Sequence, residues 1–494
     1  MKLHNTFLSL CLLLPLVLSH HQAKAQELAL PDTPVGKMAT AFFKAFNAED
    51  ETLMRDFTAN HRTESALKRI PVESRMAQHR QIKGMFKNIS PRKITSATDQ
   101  ELVVIVYSEA LQSWFECSFG LSESDPDKLE SFGLKPTTAP TDSADDGFGE
   151  WSTLEELLQN AIAKHKIPAI SMAVIDKGQV TETAVAGVRQ VGSDDLVQIN
   201  DRFHLGSITK SMTATLVGRL IEQGKLNPES TLKSLLPEID MLPGYEKVTV
   251  TQLLHHTAGI PAYLTVTDEE EKTLLNLPGN ATEQRLAFAR KVLQEQPANE
   301  PGEAFVYSNA GYSILGLIVE KLGKENWNEQ LAQYVYEPLD MKTAGIDWPR
   351  SEDRPGEPAG HFGAMDELRI QAIEEYELGA YIEPAGDAHA SMKDLARYGL
   401  AHMNGINGKD GILKSATFQW LHQPLENKNY AAGWFVTQSE SGVAVHEHSG
   451  SAGTFLAMII LEPENNRGWA IAANAGGVAL DGIFRKIIAT WRDK

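Results

Sequence analysis

The 494-residue chain has only two cysteines, Cys11 and Cys117. A disulfide-stapled fold is therefore excluded, and a chain this long has enough apolar surface to fold without one. Positive charge is the second shortage: 46 Lys and Arg stand against 65 Asp and Glu, a net charge of −19. Such acidity repels phosphate polyanions, because nucleic-acid binding draws its free energy from Lys and Arg displacing counterions; anionic lipid is disfavoured for the same reason. Long apolar runs are also missing. Beyond the N-terminus the longest is Phe455 to Leu461, a strand's length and far short of the roughly 20 residues that cross a bilayer. No nucleic-acid partner and no stable membrane insertion are expected. What remains, 42% hydrophobic and 22% charged residues, is the composition of an ordinary globular protein.

The N-terminus carries a targeting pattern. Lys2 supplies a positive start, Phe7 to Leu18 is an apolar run broken by Pro15, and Ala23-Lys24-Ala25 sets small residues where a signal peptidase reads. Cleavage after Ala25 and a periplasmic or secreted location are expected, with an uncleaved anchor as the alternative. Losing residues 1–25 removes Lys2, Lys24 and Cys11, which takes the charge to −21 and leaves Cys117 alone. Its context, Trp114-Phe115-Glu116-Cys117-Ser118-Phe119, is that of a small buried hydrophobe.

Three blocks follow. Residues 26–134 show helical spacing at Val35 to Phe46, at Glu51 to Ala59 and before Gly84, then strand patterns at Lys93 to Thr98, Glu101 to Tyr107 and Ser113 to Phe119. This predicts a small α+β accessory module, similar in element order to NTF2-like modules. Residues 135–150 concentrate Pro, Thr, Ser, Asp and Gly and read as a linker. From residue 151 to 494 the pattern starts with a helix over Trp151 to Lys166, N-capped at Ser152, and a hairpin of Ala169 to Asp176 and Gln179 to Gly187. It closes with strands at Val443 to His448, Thr454 to Leu461 and Gly468 to Asn474 and a helix at Asp481 to Arg492. A single antiparallel sheet assembled from both ends is predicted, with a helical body inserted between Ser207 and about Tyr430.

Three short segments carry chemistry. In Phe203-His204-Leu205-Gly206-Ser207-Ile208-Thr209-Lys210 a glycine turn opens a helix, so Ser207 and Lys210, three apart, share one face. A serine hydroxyl is a weak nucleophile until a base removes its proton, and a lysine whose pKa is lowered by desolvation can be that base. Tyr307-Ser308-Asn309 lies in a Gly-containing loop before another helix, and His448-Ser449-Gly450-Ser451 ends a strand. With Leu253-Leu254-His255-His256-Thr257-Ala258-Gly259, Pro384-Ala385-Gly386-Asp387 and Tyr430-Ala431-Ala432-Gly433-Trp434 around them, these segments resemble the serine β-lactamase-like family. That family includes class C β-lactamases, penicillin-binding carboxypeptidases, D-aminopeptidases and esterases.

The resemblance spans about Trp151 to Lys494. It implies an α/β fold of the β-lactamase/transpeptidase kind, an antiparallel sheet flanked by helices plus a helical subdomain. It further implies Ser207 as the acylated nucleophile, Lys210 and Tyr307 as the proton-handling pair, and Asn309 as a partner of Lys210 and of the substrate. The main-chain N–H groups of Ser207 and Ser451 would form the oxyanion hole, within a substrate-binding strand His448-Ser449-Gly450-Ser451. Whether Lys210 or Tyr307 is the resting base is left open. One departure stands out: His448 occupies a position where β-lactamases usually have Lys, and an imidazole with an ordinary pKa near 6.5 is mostly neutral at pH 7. The expected activity is therefore hydrolysis of a peptide, amide or ester acyl donor, with a class C-like β-lactamase or a non-catalytic penicillin sensor as alternatives. The partner is a small-molecule or peptide substrate, and no cofactor is called for.

Other clusters read as structural. His446 and His448 alternate on one strand face but lack a third ligand, and His255-His256 ends a helix. Asp268-Glu269-Glu270-Glu271 is expected as a solvated loop or helix start, or else a charged rim to the cleft.

Overall fold

The computed structural model describes residues 28–69, 71–108, 110, 113–122, 124–137, 147–264, 268–363, 365, 367–375, 378–439, 441–477 and 479–494. The targeting segment with its cleavage site and most of the linker lie outside the described residues.

The accessory module begins with the helix Pro34–Asn47, started by a Pro in the first turn and by the Thr33 hydroxyl accepting the Gly36 N–H. Its apolar stripe of Val35, Met38, Phe42, Phe43 and Phe46 is buried. That stripe packs on a four-stranded antiparallel sheet, Ile89–Ala97, Glu101–Ser108, Ser113–Leu121 and Leu129–Thr137, paired in sequence order. Phe42 meets Phe119 and Phe57 edge-to-face with centroids 5.4 and 5.7 Å apart, a geometry that suits the ring quadrupoles. Cys117 is buried in this core, and burial pushes its thiol pKa up, which leaves it inert.

The module departs from the sequence expectation twice. The one helix expected before Gly84 is two, Glu64–Arg69 and Val72–Phe86, the second starting at Pro71. The linker also starts later, because Leu129–Thr137 is a fourth strand that runs past residue 134 and sets Thr137 opposite Trp114. Pro136 disguises it: proline is tolerated on an edge strand, where part of the backbone needs no donor.

The larger unit is built on a six-stranded antiparallel sheet in the order Phe435–Gln438, Ala444–Ser451, Leu456–Glu462, Arg467–Ala473, Ala169–Asp176, Gln179–Gly187. The two ends of the unit meet where Ala470 pairs with Ala173, which is the predicted assembly from both ends. Lys177 and Gly178, both at positive φ (51° and 73°), make the hairpin turn. Leu456–Glu462 is buried along its whole length because helices cover both sheet faces. Leu154–His165 and Ala479–Arg492 cover one face through Leu157, Leu158, Phe484 and Ile487. The helical body covers the other through Met212, Leu216, Leu395 and Tyr398. Helix Leu154–His165 is N-capped by Thr153, not Ser152, because Glu156 stands three residues after Thr153 and closes a reciprocal capping box.

The strand Leu129–Thr137 packs against the helix Ala479–Arg492. The accessory module thus sits on the sheet face opposite the helical body. Among the described residues no helix is long and apolar enough to cross a membrane.

Candidate active site

Ser207 lies in a 3-10 turn, Gly206–Ile208, which leads into the helix Thr209–Glu222. Gly206 has φ +50°. A Cβ on Gly206 would stand 2.3 Å from the Ser451 nitrogen, and one on Gly450 would stand 2.4 Å from the Ser207 nitrogen. These two glycines let the serine turn and the strand Ala444–Ser451 touch backbone to backbone, which brings the Ser207 and Ser451 main-chain nitrogens side by side. His204, which sequence reasoning left without a role, clamps this turn. Its Nδ1 accepts the Gly206 N–H at 3.2 Å, so Nε2 carries the proton donated to Asp387 Oδ1 at 3.0 Å. The available signal was a histidine three residues before the serine and an aspartate right after Pro384-Ala385-Gly386.

Lys210 is fully buried. Its Nζ is 3.0 Å from Ser207 Oγ, 2.7 Å from Asn309 Oδ1 and 2.7 Å from Ala385 O. Burial drives its pKa well below the usual lysine value. A neutral amine has two N–H bonds and one lone pair. The two carbonyl oxygens can only accept, so in that form they would take both N–H bonds and leave the lone pair for the Ser207 hydroxyl.

Tyr307 hydrogen-bonds Ser207, and burial pushes the phenol pKa up, so it stays protonated. Lys210 Nζ is 4.7 Å from the Tyr307 ring centroid. A single residue holds the Tyr307 backbone on both sides: Val306 N–H donates to His256 O at 2.8 Å, and Ser308 N–H donates to His256 Nδ1 at 3.1 Å. The His256 ring packs on that of Tyr307 with centroids 4.4 Å apart. Its backbone has φ +56°, a strained conformation for a residue with a side chain. Asn309 is anchored through its N–H to Ala262 O at 2.8 Å and through Nδ2 to Tyr263 O at 3.0 Å.

On the strand, Ser449 faces Met458, Gly450 faces Ala457 and Ser451 faces Leu456 across the ladder. The Ser451 hydroxyl donates to Phe455 O at 2.6 Å and accepts Gly453 N–H at 3.0 Å, so it is its backbone that Ser451 presents to the cleft. His448 is only 2% exposed and is enclosed by the rings of Tyr307, Tyr430 and Phe435. Its Nδ1 donates to Ser449 O at 2.6 Å, and Nε2 lies 3.4 Å from the Tyr430 hydroxyl. Burial, with Lys210 beside it, pushes its pKa down to about 3. The ring is neutral and packed between the strand and the rings of Tyr307 and Tyr430.

His446, on the same strand face, enters a different arrangement. His446 Nδ1 is 3.0 Å from His422 Nδ1, His422 Nε2 is 2.9 Å from His402 Nδ1, and His402 Nε2 is 3.2 Å from Thr215 Oγ1. Nitrogens in direct hydrogen-bond contact have no space for an ion between them. No cluster of His, Cys, Asp or Glu among the described residues has the arrangement of a metal site.

Ser207, Asn309 and Ser451 open onto a cavity of about 430 Å³. Its walls include Leu378 and Ile382, and its rim includes Gln371, Glu375 and Glu271. Glu271 comes from the acidic run, which forms the helix Asp268–Leu275 and so provides both a helix start and part of a charged rim.

The family model described as Beta-lactamase matches residues 154–487. The chain belongs to the beta-lactamase family. The protein flp of Staphylococcus aureus (strain MW2) is 24% identical over 330 residues, 65% of this chain and 62% of flp. The chain thus spans less than two thirds of that relative's length. Penicillin-binding protein 4 of Amycolatopsis lactamdurans is 26% identical over 341 residues, 66% of this chain and 86% of that protein. Among solved structures, the octameric penicillin-binding protein homologue from Pyrococcus abyssi superposes with a TM-score of 0.57 at 25% identity, over 69% of this chain and 77% of that one. The D-amino acid amidase from Ochrobactrum anthropi SV3 superposes with a TM-score of 0.56 at 18% identity, over 69% and 97% of the two chains, and shares the fold. The beta-lactamase match begins at the helix Leu154–His165 and leaves the accessory module outside it.

Proposed function

We propose that this beta-lactamase family member is a serine hydrolase that works through an acyl-enzyme on Ser207. The observation that carries the reading is the Lys210 amine, buried, 3.0 Å from Ser207 Oγ and held by two carbonyl oxygens. In this reading neutral Lys210 takes the Ser207 proton as Oγ attacks the acyl carbon. The oxyanion is received by the N–H groups of Ser207 and Ser451; losing one such donor in other hydrolases costs roughly 2.7–4 kcal/mol. Protonated Tyr307 gives its proton to the leaving group and recovers one from Lys210. Water then enters in the leaving group's place; as it attacks, its proton goes to the Tyr307 oxygen while the Tyr307 proton passes to the neutral Lys210 amine, and Lys210 returns a proton to Ser207 Oγ as the acid is released. Asn309 orients Lys210 through Oδ1 and has one N–H left for the substrate.

The acyl donor is a peptide, amide or ester, and export through the N-terminal signal gives the enzyme a periplasmic or secreted setting. A fluorophosphonate probe should label Ser207, and p-nitrophenyl acetate should be hydrolysed; Ser207→Ala should lose both. Wild-type protein that neither labels nor turns over any ester, amide or lactam would defeat the reading. The relationship to penicillin-binding proteins favours a second reading, acylation by penicillin without turnover, which labelled penicillin persisting on Ser207 would support.

A further inference from the structure

Accepting the serine hydrolase reading, the backbone ahead of Ser207 shows what aims the Ser207 N–H at the oxyanion. Gly206 sits at φ +50°. Nothing intrinsic to glycine selects that value, because glycine occupies negative φ about as readily. Leu205 has φ −91° and ψ −12°. Turning the Leu205–Gly206 peptide over would carry Leu205 into the broad β region and Gly206 to negative φ, both sterically allowed. Backbone sterics thus leave two orientations open, and side chains choose between them.

Two side chains hold the observed one. His204 Nδ1 accepts the Gly206 N–H at 3.2 Å, which pins the peptide on the N-terminal side of Gly206. Thr209 Oγ1 donates to Gly206 O at 2.7 Å and accepts the Ala388 N–H at 3.0 Å, which pins the peptide on the C-terminal side. That second peptide ends in the Ser207 nitrogen. In a trans peptide the N–H points opposite to the C=O, so drawing Gly206 O onto Thr209 sends the Ser207 N–H away from Thr209. The Ser207 nitrogen itself stands beside Gly450.

The anchors are themselves fixed. His204, Thr209 and Asp387 are at most 3% exposed. His204 Nε2 donates to Asp387 Oδ1 at 3.0 Å, which leaves Nδ1 as the acceptor, and the ring packs on Trp348 with centroids 5.1 Å apart. Asp387 O in turn accepts the N–H of Asp347 at 3.0 Å. Asp347 has φ +95°, a costly conformation for a residue with a side chain, of the kind that persists only where the surrounding structure over-determines it.

We infer that His204 and Thr209 are positioning residues for the oxyanion hole: they fix the peptides on both sides of Gly206 and so hold the Ser207 N–H in place, with Asp387 setting the histidine tautomer. Both are buried and act through the backbone.

Substitution at His204 separates its two contacts. Asn sets Oδ1 about where Nδ1 stands, so His204→Asn keeps the acceptor for Gly206 N–H and gives up Asp387. Gln reaches the place of Nε2, so His204→Gln keeps Asp387 and gives up the acceptor. With p-nitrophenyl acetate, kcat should fall by about 10–100-fold in His204→Gln, short of the about 10²–10³-fold of losing an oxyanion donor outright, and stay within about 5-fold of wild type in His204→Asn. KM should change little in either. Thr209→Val should lose less than His204→Gln, because the Thr209 N–H also reaches Gly206 O, and Thr209→Ser should recover the wild-type kcat. Affinity for phenylboronic acid, whose adduct on Ser207 Oγ sets an oxygen in the hole, should weaken in step with kcat across the four variants. Thermal melts identify any variant that fails to fold; should a His204 variant do so, the Thr209 pair and its boronate affinities decide. A kcat in His204→Gln equal to or above that in His204→Asn, equal losses in Thr209→Val and Thr209→Ser, or a boronate affinity that stays constant while kcat falls overturns the inference and leaves the serine hydrolase reading standing. Absence of both p-nitrophenyl acetate turnover and fluorophosphonate labelling in the wild type instead overturns the underlying reading, and this inference with it.

Discussion

Lys210 Nζ lies 3.0 Å from Ser207 Oγ, within one turn of the same helix entry, and both of its other partners are carbonyl oxygens. This arrangement costs folding free energy, because a buried amine is desolvated, and in the proposed function it supplies the base. Replacing Lys210 by Met, of similar reach and no charge, should lower kcat by about 10²–10⁴-fold without lowering the melting temperature. Steady-state ester hydrolysis beside a thermal melt checks both halves; a large loss of stability with little loss of rate would contradict the assignment.

Gly450 governs how closely the strand approaches the serine turn. A Cβ there would stand 2.1 Å from Leu205 O and 2.4 Å from the Ser207 nitrogen. Gly450→Ala should push the two main-chain donors apart and lower kcat by about 10²–10³-fold, the scale of losing one oxyanion donor. A circular dichroism spectrum like that of the wild type would separate this effect from misfolding, and unchanged kcat would count against the paired-donor geometry.

His256 should behave as a positioning residue for Tyr307. His256→Leu removes the acceptor of Ser308 N–H and puts a branched apolar side chain at φ +56°, a combined cost of about 1–3 kcal/mol. His256→Asn keeps a side-chain acceptor and tolerates the left-handed backbone. The Asn variant should recover most of the kcat that the Leu variant loses, with KM little changed. Equal losses in the two variants would reduce His256 to packing.

Acid should destabilise the fold. Burial holds His402 and His389 at pKa values of about 3 and His446 at about 4, each below the unfolded value near 6.5. The stability these neutral rings contribute is present above pH 6.5 and is lost as pH falls toward 3, by about 1.4 kcal/mol per pH unit for each ring. Glu383, pushed up to about 7 by burial, has the opposite sign and gains stability as pH falls, but it is one group against several. Urea midpoints should therefore be lower at pH 5 than at pH 7.5; a flat or rising midpoint would contradict the buried-histidine account.

Intact-mass measurement of the exported protein should give a chain beginning at Gln26. Retention of residues 1–25 in the exported protein would favour the uncleaved anchor instead.

Much of the fold was written locally. The tight Lys177-Gly178 turn marked Ala169–Asp176 and Gln179–Gly187 to the residue, because a hairpin is specified by neighbours in sequence. Composition misled where tertiary context overrode it: Pro136 in an edge strand looked like linker, and Ser152 lost the cap to Thr153 through Glu156. For the site, residue type and order picked out Ser207, Lys210, Tyr307, Asn309 and the 448–451 strand, and the fold brings these residues to one place. They could not say what surrounds each. That the Lys210 pKa is lowered depends on burial, and the orientation of its amine depends on Ala385 O. That His448 is packed away depends on three rings from separate segments, and that Glu271 reaches the cleft depends on where its helix docks. Sequence determined the chemical groups and the order in which they occur. Desolvation and long-range packing, which act between residues far apart in the chain, decided their protonation, their partners and the charge of the cleft they share.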